Sequence, residues 1–238
     1  MNTEFAGFPE EGFKFLRNLK RNNRRDWFQP RKEIYLEQVR GPMVQLVDAL
    51  NRSLARLAPT YIHPPEKAIY RVYRDTRFSH DKTPYKTHIA AIFPRRGMAK
   101  HVGGGLYISV SPWEVEVAGG AYMPGPEQLN LIRYYLAGHH EEFRKITGEP
   151  TFKRLLGSVI GDQLMRVPKG FEKDHPAADL VRYKQIYVDA TLDPALALTP
   201  KLLPEIVARM KAMLPLLEFL NRPLVDAQRV PRASEFFL

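Results

Sequence analysis

Residues 105–120 read GLYISVSPWEVEVAGG, and the fold class turns on them. Residues 105–111 and 114–120 each read as a strand, and Ser111-Pro112-Trp113 between them leaves room only for a short turn. Two strands joined so tightly pair as an antiparallel hairpin. Upstream of them, 87–94 (THIAAIFP) and 68–75 (AIYRVYRD) read as strands as well. No helical period separates the four, so they predict an antiparallel meander and argue against βαβ units. Residues 184–191 (KQIYVDAT) supply a fifth candidate strand.

The chain is helical on both sides of this block. Phe13, Leu16 and Leu19 fall on one helix face, and Asn22-Asn23 reads as a stop. Asp26 is placed to cap the next helix. Ile34, Tyr35 and Val39 begin a stripe that Met43, Leu46, Val47, Leu50, Leu54 and Leu57 extend, with a kink or break expected at Gly41-Pro42. Helices are expected over 127–137, 141–146 and 152–160. A last one opens at Thr199-Pro200, buries Leu203, Ile206, Val207, Met210, Met213, Leu214 and Leu217, and is kinked at Pro215. The expectation is an α+β protein: an antiparallel sheet of about four to five strands with N- and C-terminal helices packed on it. One domain is expected over 1–238, with a helical part at 1–60, a strand-rich core at 67–120 and a mainly helical part at 126–238.

The 238 residues include no cysteine, which excludes disulfides, zinc–thiolate sites and cysteine nucleophiles. No run of 18 apolar residues exists to span a membrane, and MNTEFAGFPEEGFKF lacks the pattern of a secretory signal. A cytoplasmic location is the resulting expectation. The formal net charge is +10, and its placement is uneven. Residues 67–101 hold nine Lys/Arg against two Asp/Glu, residues 10–40 hold nine against five, and 102–238 balance at sixteen each. A charge so focused points to an anionic ligand or partner.

Its centre is RVYRDTRFSHDKTPYKTH, residues 71–88. Strand alternation puts Arg71, Tyr73 and Asp75 on one face, and Ala68, Tyr70, Val72 and Arg74 on the other. The connection from Thr76 to Lys86 is too long for a tight turn and is rich in charge. On a functional reading, Arg71, Arg74, Arg77, Lys82 and Lys86 converge on a phosphate or carboxylate, with the arginines giving bidentate contacts. Asp75 and Asp81 then orient the cations, act as a base or hold a metal, while Ser79, Tyr85 and His88 supply hydrogen bonds or protons. Lys169, His175 and Lys184 are second-rank candidates for another wall of that pocket, with Asp174 as a helix cap. On a structural reading, the Arg–Asp pairs pin the loop and do nothing more.

The string RDTRFSHDKTPYK, residues 74–86, resembles the hallmark of an uncharacterised family, domain of unknown function 2461. Phe5, Phe8, Phe15, Leu16, Asn22, Asn23, Trp27 and Phe28 fit its N-terminal block, and GGGLYISVSP (103–112), VEVAGGAYMPGPEQLNLIR (115–133) and VPKGFEKDHPAADLVRYK (167–184) fit its later ones. The resemblance implies one family-wide domain and no particular activity.

Other motifs point to structure. The clusters Gly103-Gly104-Gly105 and Gly119-Gly120 lack the context of a nucleotide loop and suit turns or close backbone approach. Glu114 and Glu116 read as a solvated strand face. His139-His140-Glu141-Glu142 lacks the HExxH order, and adjacent helical residues point about 100° apart, so it reads as a helix start. Asn22, Asn23, Arg24, Arg25, Trp27 and Phe28 interleave polar, basic and aromatic character in a way that can serve single-stranded nucleic acid, but the favoured reading is core rings beside solvated arginines. No metal or cofactor is expected. The leading functional expectation is binding of an anionic ligand, above all a phosphate-bearing one. A nucleic-acid-associated protein or nuclease is the alternative, and requires the two basic stretches to share a surface. A protein-interaction module, with Phe236-Phe237-Leu238 as a contact, is the third.

Overall fold

The computed structural model describes residues 5–229, so Phe236-Phe237-Leu238 lie outside the described residues. Four strands, β1 (Ile89–Phe93), β2 (Gly105–Val110), β3 (Val115–Ala121) and β4 (Ile186–Leu192), form one antiparallel sheet in the order β1-β2-β3-β4. With about half the chain in helices, the architecture is α+β, as the residue pattern predicts. The β1–β2 register runs from Ile89 opposite Val110 to Phe93 opposite Leu106. The β2–β3 turn is held by its own chemistry. Ser111 N–H donates to Glu114 O at 3.0 Å, and Ser111 Oγ accepts from the N–H groups of Trp113 and Glu114. Every residue of β1 is buried, whereas β4 alternates buried with more exposed positions.

The segment 68–75 departs from the strand expected there. Ala68 ends a short helix, α5 (Pro65–Ala68), and only two isolated bridges follow, Ile69 with Ala91 and Tyr73 with Tyr85. Lys86 N–H donates to Val72 O at 2.8 Å, and Tyr70 N–H donates to Ala90 O at 2.9 Å. Between those bonds one side has a single residue, Arg71, and the other has three, Thr87, His88 and Ile89. The two surplus residues make a bulge that interrupts the ladder.

The N-terminal helices form as their apolar stripes require. In α1 (Glu10–Arg21) Phe13, Phe15, Leu16 and Leu19 are buried, and Asn22 ends the helix. Asp26 lies inside the first turn of α2 (Arg25–Phe28), whose N-cap is Arg24, so it is not the cap. After α3 (Lys32–Tyr35) the helix widens into a π turn, Leu36–Arg40, and continues as α4 (Gly41–Leu57). The irregularity therefore falls just before Gly41-Pro42 and does not break the run. Pro42 has no N–H for the Gln38 carbonyl four residues back, and the π turn accommodates that loss. Helix α1 packs there through Gly12, where a Cβ would lie 2.1 Å from Gln38 O.

The chain divides into two compact units. The first holds the chain up to Phe93, Leu106–Val117 and Ala190–Lys211; the second holds Pro94–Gly105, Ala118–Asp189 and the chain from Ala212 onward. Helices α6 (Pro126–Gly138), α7 (His140–Gly148) and α8 (Pro150–Leu156) belong to the second. Helix α8 stops short of Ile160 because Gly157 takes a left-handed φ of 73°. No helix forms at Asp174; its neighbour His175 accepts the Ala177 N–H through Nδ1 at 3.0 Å.

Helix α9 (Leu202–Arg229) begins after Thr199-Pro200 and keeps Pro215 and Pro223 within it. Its buried face includes Leu202, Ile206, Met210, Met213, Leu217, Leu220 and Leu224, while Leu203, Val207 and Leu214 are half-buried. No helix of the described residues is long and apolar enough to cross a membrane. Asn221, 1 % exposed, donates to Gly104 O and accepts from Gly104 N–H, both at 2.8 Å. A Cβ on Gly103 would lie 2.4 Å from its Oδ1, which explains a glycine there as close approach.

Candidate functional site

The basic segment lies in the first unit, and its anchors come from far away in sequence. Asn23 donates to Tyr85 O at 2.8 Å and accepts from Tyr85 N–H at 3.0 Å. The Tyr85 ring, 2 % exposed, stacks on Phe28 at 4.1 Å and 19°. Tyr73 packs outside it, 5.5 Å between ring centres, and is 44 % exposed. Tyr85 thus fastens the segment to the helical layer through its backbone and its ring. Trp27, beside Phe28, is half-buried with the Arg31 guanidinium 4.7 Å over its ring.

From this anchor the loop ties itself down. Arg74 donates through Nη1 to both Asp81 Oδ2 and Thr83 Oγ1. Arg77 forks onto Asp75, Nε to Oδ1 at 3.0 Å and Nη2 to Oδ2 at 2.8 Å. Asp75 also accepts the Arg77 N–H, and Asp81 accepts the Thr83 N–H, so each carboxylate closes a local turn as well as an ion pair. Lys82 Nζ reaches Thr76 O at 2.9 Å, and Ser79 N–H donates to Thr76 O at 3.4 Å. Bonds from Arg77 hold the Asp75 carboxyl at about 2, with its side chain contributing most. Asp81 is held at about 2 by the Arg74 side chain first, then by Thr83.

Two cations of the segment stand outside this pairing. Among the described residues, no carboxylate forms an ion pair with Arg71 or Lys86. Lys86 Nζ lies 4.7 Å over the Tyr70 ring, and its pKa is pushed down by burial first and by Arg71 second. His88, half-buried in the bulge, has its pKa lowered by burial, then by Lys86 and by Arg74. The bulge is the local cause. Lys86 borders the bulge, His88 lies within it and Arg71 lies opposite; Lys86 feels the charge of Arg71, and His88 those of Lys86 and Arg74. The half-buried Lys86 ammonium thus lies in the field of the exposed Arg71, a repulsion that a bound anion relieves.

Ten residues of the segment are thus sorted by the fold. Arg74, Asp75, Arg77, Ser79, Asp81 and Lys82 hold the loop. Tyr85 holds its base, Arg71 and Lys86 form the cationic group, and His88 stands next to it with its pKa lowered. Asn23 and Phe28 join them as anchors of Tyr85, and Tyr70 as the ring beneath Lys86. Asn22-Asn23 carries a helix-stop signal, and nothing local relates Asn23 to a residue 62 positions on. Lys169, His175 and Lys184 belong to the second unit. There Lys169 is exposed, and Lys184 N–H donates to Asp162 O at 2.7 Å.

None of the curated proteins matches the chain. The family model described as "Conserved hypothetical protein (DUF2461)" matches residues 11–219, a span that includes the anchor, the loop and the cationic group. The chain therefore belongs to the family of conserved hypothetical proteins DUF2461.

Proposed function

We propose that the protein binds a phosphate-bearing anion at Arg71, Lys86 and His88. One observation carries the reading: no carboxylate of the described residues is ion-paired to Arg71 or Lys86, which flank the bulge and whose charges repel, while Arg74 and Arg77 are neutralised by Asp81 and Asp75. Asp75 feels Arg71 too, but as the least of its influences. Arg71 supplies a planar donor fork, and Lys86 a partly desolvated ammonium. The paired arginines and aspartates serve as a frame that keeps the loop from folding over the cations. This moves the centre of binding from the arginine–aspartate loop to its base.

The test is a thermal unfolding titration with inorganic pyrophosphate. Wild-type protein gains several degrees in Tm, because a ligand bound only to the native state stabilises it. Arg71→Ala and Lys86→Met lose that gain and keep the ligand-free Tm, since each removes a repelled charge and Met retains the packing of the lysine stem. An equal pyrophosphate response in wild type and both variants would sink the proposal.

A further inference from the structure

We infer that the anion is the backbone of a single-stranded nucleic acid, with Tyr73 and Phe78 as stacking platforms for its bases. This rests on the anion reading above and names the substrate class of the same site. Along the extended stretch that begins at Arg71, burial alternates. Val72 is buried, whereas Arg71, Tyr73 and Asp75 are exposed. Arg71 and Tyr73 therefore share one side of the segment, about 6.6 Å apart along it.

Tyr73 is the outer member of a row of rings, backed by Tyr85, which is stacked on Phe28 in the core. Its position is fixed from behind while 44 % of its surface stays open. Phe78 is 94 % exposed at the tip of the loop. That loop is held by Asp75 on Arg77, by Asp81 on Arg74 and Thr83, and by Lys82 on Thr76 O. The Arg77 guanidinium lies 5.7 Å over the Phe78 ring. A lone exposed Phe on a surface needs no explanation. Two exposed rings on a tied-down ribbon, flanked in sequence by the cations Arg71 and Lys86 that no carboxylate of the described residues pairs, match the chemistry that grips unstacked bases and tracks their phosphates.

The second basic stretch meets the first here. Asn23 bonds both backbone groups of Tyr85; Arg25, two residues on, is exposed, while Arg24 is ion-paired with Asp26 at 3.1 Å. The aromatic rings decide for single strands over duplex, because bases within a duplex offer no free face.

The experiment is fluorescence anisotropy of a labelled oligo-dT at low salt, run beside the pyrophosphate titration. Wild type binds the oligonucleotide, and binding weakens steeply as salt rises. Phe78→Ala weakens it about tenfold or more. Phe78→Leu loses as much, and Phe78→Trp retains it, because stacking needs a ring and not merely apolar surface. All three variants keep the wild-type Tm and the pyrophosphate response. Equal oligonucleotide affinity in wild type and Phe78→Ala overturns the inference. So does pyrophosphate binding with no oligonucleotide binding, which leaves the anion reading standing. Absence of both removes the two together. A dimer in sedimentation that Phe78→Ala dissolves, without oligonucleotide binding, overturns it in favour of a protein interface.

Discussion

His88 reports the field around it. Burial, then Lys86 and Arg74, hold its pKa below the ordinary 6.5. The folded-state value lies below the unfolded one, so protonation works against the fold. The stability tied to neutral His88 is complete above about pH 6.5 and declines as pH falls through the lowered folded value. In an NMR titration, Lys86→Met should raise the His88 pKa, because it deletes the second-largest cause. Saturating pyrophosphate should raise the wild-type value too. A His88 titration indifferent to Lys86→Met would show that the two are not coupled.

Gly12 is a residue-scale feature of another kind. Helix propensity alone favours alanine there by about 1 kcal/mol. A Cβ would nevertheless meet Gln38 O, a backbone atom that cannot swing away. Gly12→Ala should therefore destabilise by about 1–3 kcal/mol in urea unfolding, and a stabilised variant would show that α1 shifts freely.

At the scale of the element, the loop from Asp75 to Pro84 is a self-braced unit. Both carboxyls sit near 2 in the fold, below the unfolded value of about 3.9. Such a depressed pKa contributes stability that is complete above about pH 4 and disappears as pH falls through the folded value. The amide protons of Arg77 and Thr83, which donate to these carboxylates, should hold their NMR shifts from pH 7 to about 4 and move only towards pH 2. Movement centred at pH 4 would mean that the arginines do not bind as described. The base of the element depends on Asn23. Asn23→Ala leaves the Tyr85 N–H and C=O without their partner, at a cost of about 1–3 kcal/mol. Asn51 on His63 and Asn221 on Gly104 repeat the device, each engaging both backbone groups of one residue. None of the three was legible as a clamp, because an asparagine's local signal is only that of a cap or turn.

At the scale of the whole molecule, the net charge of +10 acts through its placement. A site with cations at its rim is screened within a Debye length, about 10 Å at 0.1 M salt and 3 Å at 1 M. The pyrophosphate gain in Tm should accordingly shrink as NaCl is raised. A gain indifferent to salt would place the ligand in a deeper, screened-off site. The sequence alone determined the class of each long element, since apolar period is a local property. Thus the stripe Phe13, Leu16, Leu19 specified α1, and alternation about Ser111-Pro112-Trp113 specified the β2–β3 hairpin. It also determined where the positive charge lies. Which of those charges are neutralised is a matter of contacts made in the folded chain. Arg74 and Arg77 are neutralised by Asp81 and Asp75 of their own loop, whereas Arg71 and Lys86 flank a bulge on a segment that Asn23 and Phe28 hold through Tyr85. Strand alternation predicts a regular ladder for 68–75, and one pair of surplus residues overturns it. Whether a cation keeps its charge for a ligand is a matter of distances across the fold, and residue period carries no information about them.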